Sequence, residues 1–160
     1  MTVSKGRYIY SFNEGNKAED KFCKLMLERN NKCIKSSKYE DINKHIDFYV
    51  NDISVDVKGN RHLKTIWLEL KNVKGEGGWL ECCSEYIVFD IIELKSFCFF
   101  LREDLFNYAN QFKEIAKNKT EYKKRYTREN RKDVLIKVTY KDIEHLQKQI
   151  IQYEQENKQP

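Results

Sequence analysis

A chain of 160 residues with 40% hydrophobic and 34% charged residues, six glycines and one proline reads as a single ordered globular domain, not a disordered or fibrous chain. Its longest apolar stretch, around Tyr86 to Ile92, is broken by Asp90 and is far shorter than the ~20 residues of a membrane span. The N-terminus leads into no apolar signal core, so a cytoplasmic protein with no membrane partner is expected at a net charge of +5.

From Ser11 to about Asn30, Ala18, Phe22, Leu25 and Met26 recur at helical spacing behind the candidate caps Ser11 and Asn13, predicting an amphipathic helix. A short strand around Lys32 to Ser36 and a polar stretch, Ser36 to Lys44, lead into the most regular part of the chain. His45 to Val50 and Ile53 to Lys58 alternate strictly around Asn51-Asp52, a pair suited to a two-residue hairpin turn. With Val50 opposite Ile53, Phe48 meets Val55, Ile46 meets Val57 and Asp47 meets Asp56. Ile46, Phe48, Val50, Ile53, Val55 and Val57 then form one apolar face, and His45, Asp47, Tyr49, Ser54, Asp56 and Lys58 form the other. A slip of one residue would misalign both sets.

Ile66 to Lys71 repeats the alternation with Ile66, Leu68 and Leu70 inward, and its other face shows Trp67, Glu69 and Lys71. Asp47, Asp56 and Glu69 with Lys58 and Lys71 are thereby expected together on one sheet face. Past the glycine-rich Lys74 to Gly78, Trp79 to Glu85 reads as a short helix or turn, and Tyr86 to Ile92 and Ser96 to Leu101 as strands. Arg102 to Lys117 is a predicted helix with Leu105, Phe106, Ala109, Phe112 and Ala116 on its apolar side. Val134 to Val138 is a predicted strand. Tyr140 to about Gln155 reads as a final helix, whose Ile143, Leu146, Ile150 and Ile151 serve either core or a homodimer interface. The whole is one α/β (α+β) domain, residues 1–160, with a central mixed β-sheet flanked by helices.

Between Lys113 and Lys137 stand ten basic residues against four acids, a local excess of +6 that leaves −1 for the rest of the chain. With Tyr122 and Tyr126 interleaved, this segment is a candidate phosphate-facing surface, led by Lys123, Lys124, Arg125, Arg128, Arg131 and Lys132. A solvated basic loop accounts for the charge about as well. Trp67 and Trp79 are candidates for base stacking or, more commonly, packing. The five cysteines show no CxxC spacing and read as packing thiols, the neighbours Cys82 and Cys83 pointing in different directions.

Two carboxylates facing each other across neighbouring strands repel, and Asp47 and Asp56 are such a pair. Lys58, two residues on and on the same face, supplies one positive charge. A divalent cation such as Mg²⁺ or Mn²⁺ would supply more, since hard cations take carboxylate oxygens together with water and phosphate. Such a site suits hydrolysis of a phosphodiester.

Asp47 followed nine residues later by Asp56-Val57-Lys58, after a helix containing Gly15-Asn16-Lys17-Ala18-Glu19, resembles the PD-(D/E)XK nuclease superfamily. The downstream Trp67-Leu68-Glu69-Leu70-Lys71-Asn72, Gly77-Gly78-Trp79-Leu80 and Ser84-Glu85-Tyr86-Ile87-Val88-Phe89 resemble its small phage-encoded members. The resemblance covers roughly residues 13 to 112. It implies a restriction-endonuclease-like core and an Mg²⁺-dependent endonuclease acting on DNA, structure-selective and of phage or mobile-element type, working in a host cytoplasm. RNA remains open as a substrate. By position it implies Asp47 and Asp56 as metal ligands, Lys58 as the catalytic lysine and Glu19 as an assisting acid. Ile46 stands where the superfamily carries proline. A second triad, Asp56 with Glu69 and Lys71, also fits the motif, and His45 is an auxiliary candidate. The alternative function is a nucleic-acid-binding or host-interacting protein on the same scaffold without catalysis.

Overall fold

At Asn51 and Asp52 the backbone takes φ of 48° and 69°, the positive values that a two-residue turn matching strand twist requires. Short polar side chains tolerate this, and Asn51 Oδ1 accepts the Lys32 N–H at 2.9 Å. The turn joins β2 (Phe48–Val50) to β3 (Ile53–Arg61) in the expected register, Phe48 against Val55 and Val50 against Ile53. The structure, a computed structural model, describes residues 14–153, with side chains from residue 17 on. The candidate caps Ser11 and Asn13 lie outside the described residues.

Before the hairpin come α1 (Glu14–Glu28), β1 (Cys33–Lys35) and α2 (Lys38–Lys44). After it follow β4 (Ile66–Lys71), β5 (Tyr86–Ile91), β6 (Ser96–Leu101), α3 (Arg102–Asn110), β7 (Arg125–Tyr126), β8 (Val134–Val138), α4 (Tyr140–Ile143) and β9 (Gln147–Gln152). Two sheets result. One has six strands in the order β1-β2-β3-β5-β6-β9; the other has three, β4-β8-β7. In the larger, β3 and β5 run parallel and the remaining neighbours antiparallel, so the sheet is mixed.

Both faces of the six-stranded sheet are covered. Ala18, Phe22, Cys23 and Met26 of α1 pack on Phe48, Val55, Val57, Val88, Phe97 and Phe99, and the Phe22 and Phe97 rings meet edge to face at 5.2 Å. On the opposite face Ile87, Phe89, Cys98 and Phe100 meet Ile66, Leu68 and Leu70 of β4, Ile136 and Val138 of β8, and Leu105 and Ala109 of α3. Alternation in β3 sends Val55 and Val57 to α1. Asp56 and Lys58 pair with Ile87 and Phe89, residues of the opposite face, and so point between the two sheets.

Several expectations are corrected. Residues 147–152 form a strand on the β6 edge, Phe97 against Ile151, instead of continuing a helix to Gln155. The spacing of Ile143, Leu146 and Ile150 suits a helix, but an open sheet edge captured the segment, burying Ile151 and leaving Ile150 exposed. The helix from Arg102 ends at Asn110, not Lys117, because Arg125 takes the carbonyls beyond it: Arg125 Nε donates to Phe112 O at 2.6 Å and its main-chain N–H to Glu114 O at 2.8 Å. The polar stretch before the hairpin holds α2, capped where Ser37 and Glu40 exchange side-chain and backbone hydrogen bonds. The Cys82 and Cys83 sulfurs do not diverge but lie 3.1 Å apart, in a bend beyond the reach of strand or helix geometry.

Candidate active site

The α2 helix ends at His45 in a left-handed conformation, φ 50°, which delivers Ile46 and Asp47 to the start of β2. Ordinary pairing with β3 ceases here. Asp47 donates its N–H to Val55 O at 2.8 Å, and its side-chain Oδ2 accepts the Val57 N–H at 2.7 Å, filling a ladder position that a main-chain carbonyl would otherwise take. The Asp47 carboxyl is thus fixed against the edge of β3 with 7% of the residue exposed.

Asp56, at 2% exposure, is deeper. Its Oδ2 is buried without a hydrogen bond, although Lys58 Nζ stands 3.2 Å away as an ion-pair partner. The Lys58 ammonium also lies 5.0 Å from the centre of the Trp79 ring, whose own edge-on packing with Phe89 at 6.1 Å makes it a wall residue. One step beyond Lys58 the strand bulges: Lys58 pairs with Phe89, but the next paired residue is Arg61, against Ile91. The extra residue, at Gly59-Asn60 with Asn60 at φ 52°, turns Arg61 onto the face of Asp56 and Lys58. In an unbroken ladder Asn60 would hold that place.

Electrostatics tie these groups together. Burial pushes the Asp47 carboxyl well above the usual carboxylate range, and the nearby charges of Asp56 and Glu19 push the same way. Burial raises Asp56 too, against the opposing pull of Lys58, a hydrogen bond from Asp47 and the charge of His45. Both carboxyls are thus held above the usual carboxylate range, with the Lys58 ammonium 3.2 Å from Asp56 as the nearest offsetting charge. Burial lowers the Arg61 pKa, and the charge of Asp56 resists it. Glu19, on α1, is held by Lys35 of β1 at 2.9 Å. Burial works against the Lys35 charge, but the hydrogen bond and charge of Glu19, with Asp47 and Asp41 behind, outweigh it and raise its pKa.

Asp47 feels the charges of Asp56 and Glu19, and Asp56 those of Lys58 and His45, so these five predicted residues form a connected chain of interactions that Lys35, Asp41 and Arg61 join unforeseen. Lys35 was readable only as a strand residue, since its partner is 16 positions away. Among the described residues no group of three or more His, Cys, Asp or Glu side chains is placed to hold a metal ion. The groups that could contribute to a cation site are two carboxylates, Asp47 and Asp56, the latter with a buried oxygen lacking a hydrogen bond; one or two carboxylates is the number a Mg²⁺ site commonly takes from protein.

Glu69 and Lys71 do not share this sheet face. Their strand belongs to the three-stranded sheet, where Lys71 Nζ pairs with Glu81 at 2.8 Å and Glu69 Oε1 accepts the Trp79 N–H at 3.3 Å. The triad of Asp56, Glu69 and Lys71 is set aside on that topology. The basic segment divides: Lys123 pairs with Asp142, Lys124 with Glu121 and Glu114, and Arg128 with the fully buried Asp133, while Arg125 holds main-chain carbonyls. Arg131 and Lys132 are exposed and make no ion pair among the described residues.

No helix among the described residues is long and apolar enough to cross a membrane. Compared with known protein families, curated proteins and solved structures, the chain matches none of them.

Proposed function

We propose that this chain is a metal-dependent phosphodiesterase acting on DNA, an endonuclease with a restriction-endonuclease-like core and its active centre at Asp47, Asp56 and Lys58. The observation that carries the reading is the Asp56 carboxylate. It is almost wholly buried beside a second acid, one oxygen lacks a hydrogen bond, and a lysine stands 3.2 Å from that oxygen. Burying two acids together costs several kcal/mol unless positive charge offsets it, so a fold that keeps them has a use for their charge.

Asp47 and Asp56 would hold the cation. When bound, Mg²⁺ or Mn²⁺ supplies Lewis-acid polarisation of a phosphoryl oxygen and a lowered pKa for water. The remaining chemistry belongs to the chain. Lys58, steered by Asp56 and by the face of Trp79, orients the attacking water and stabilises charge growing on the phosphate. Arg61, turned onto the same face by the bulge, is a second cation for the phosphate. Glu19 and Lys35 position Asp47 through their charges.

The test is incubation of the purified protein with plasmid, single-stranded and branched DNA, in Mg²⁺ or in chelator. Metal-dependent cleavage that Lys58→Ala abolishes while binding persists is the expected result. Binding without cleavage of any substrate, RNA included, would instead favour a non-catalytic nucleic-acid-binding protein.

A further inference from the structure

The outer face of the three-stranded sheet carries aromatic rings where a solvent-facing sheet usually carries polar side chains. Trp67 of β4 pairs directly with Lys137 of β8, and Tyr126 of β7 pairs with Leu135, two positions along the same strand and on the same face. The Trp67 and Tyr126 rings lie 5.6 Å apart, inclined by 37°. Tyr122 extends the row. It is 38% exposed, and its hydroxyl donates to Lys64 O at 2.7 Å, which anchors the ring at the margin of the sheet. Lys137 Nζ sits between the rings, 5.8 Å from the centre of Trp67 and 4.7 Å from that of Tyr122, and donates to Lys119 O at 3.3 Å.

The charge around the row is positive. Lys64 and Lys119 border it through those two carbonyl contacts, and both are exposed and make no ion pair among the described residues. Among the strand residues of this face Glu69 is the acid, its carboxylate turned to the Trp79 N–H at the sheet edge, and Glu121, beside Tyr122, is paired with Lys124 at 2.9 Å. Planar rings in a row, a cation among them and further lysines at the rim form the pattern that receives unpaired bases and the phosphates joining them. A duplex offers its stacked bases no such access, and an acidic peptide carries no regular series of planar groups to lay on the rings.

We propose that this face is a stacking platform for single-stranded nucleic acid, with bases on Trp67, Tyr126 and Tyr122 and phosphates at Lys137, Lys64 and Lys119. It deepens the nuclease reading by naming a substrate with unpaired strand, flaps or branches included, and rests on that reading for its catalytic meaning, though binding alone can be tested. The probe is a fluorescein-labelled 15-nucleotide oligothymidylate, compared with a duplex of equal length by anisotropy in chelator, where no metal-dependent cleavage intervenes.

The single strand is expected to bind more tightly than the duplex. Trp67→Ala should weaken it by at least about fivefold, and Trp67→Phe should restore most of the loss, because a base stacks on either ring. Should Trp67→Ala fail to fold, the exposed Tyr122→Ala carries the test with the same sign. Oligothymidylate affinity within twofold of wild type in the folded variants overturns the platform, as does equal affinity for the duplex. The two readings separate cleanly. Ring-dependent binding without cleavage leaves the platform and removes the nuclease; cleavage with ring-independent binding does the reverse.

Discussion

The Asp47 carboxylate accepts the Val57 main-chain N–H at 2.7 Å, so one acid of the site is also the cap on the strand that carries the other. This relationship fixes Asp47 beside Asp56 by backbone geometry. Burial of the two acids side by side raises both carboxyl pKa values, while the Val57 N–H opposes the rise at Asp47.

Stability of the metal-free protein is therefore expected to fall with rising pH. Both folded-state pKa values are raised, so the native state binds more protons than the unfolded chain above about pH 4. The stabilisation is complete below that pH and is lost as pH climbs through the raised values. Thermal melts in chelator from pH 5 to 9 should show a falling Tm, and Asp56→Asn should flatten the trend and raise Tm at pH 8. A flat profile for the wild type would count against the raised carboxyl pKa values.

Lys58→Ala is expected to reduce metal-dependent cleavage by at least about 100-fold while DNA binding in chelator stays within a few fold. Steady-state cleavage and anisotropy on the same preparation measure both. Equal losses in the two assays would make Lys58 a binding residue instead.

Arg61 offers a sharper check on the bulge. Arg61→Ala should lower kcat/KM by roughly 10- to 100-fold, and Arg61→Lys should recover only part, since an ammonium lacks the planar fork of a guanidinium. Affinity for Mn²⁺ should change little, because Arg61 is not among the proposed ligands. Wild-type kinetics in Arg61→Ala would show that its side chain does not reach the phosphate.

Much of this was legible in the sequence, and the exceptions have physical reasons. The hairpin follows from period-two alternation and the Asn51-Asp52 turn, but its ladder stops at Phe48 and Val55, so the expected pairs Asp47 with Asp56 and Ile46 with Val57 do not form: the Asp47 N–H goes to Val55 O and its carboxyl takes the Val57 N–H. Arg61 was hidden because alternation cannot announce an extra residue, and Gly59-Asn60 is the only local sign of one. The α2 helix buries no side chain, and its Tyr39 and Ile42 are 65% and 61% exposed, so apolar spacing passed over it although Ser37 and Glu40 spell a capping box. Residues 147–152 failed for the opposite reason: their local spacing was plausible for a helix, and only the distant edge of β6 decided otherwise.

Asp133 tests the basic segment. Fully buried, it accepts the Arg128 N–H at 3.0 Å and Nε at 2.6 Å, and so holds the approach to β8. Asp133→Ala should destabilise the protein by about 1–3 kcal/mol, the lower half allowing for the partial exposure of Arg128. Denaturant unfolding reads this directly; a change under 0.5 kcal/mol would mean the pair is ornamental.

The most direct measurement is calorimetric titration of Mn²⁺ into wild type, Asp47→Asn and Asp56→Asn, each in two buffers of different ionisation enthalpy. The account predicts saturable binding to the wild type with proton release, and binding weakened at least tenfold in both variants. Wild-type binding preserved in either variant, or none in the wild type, contradicts it.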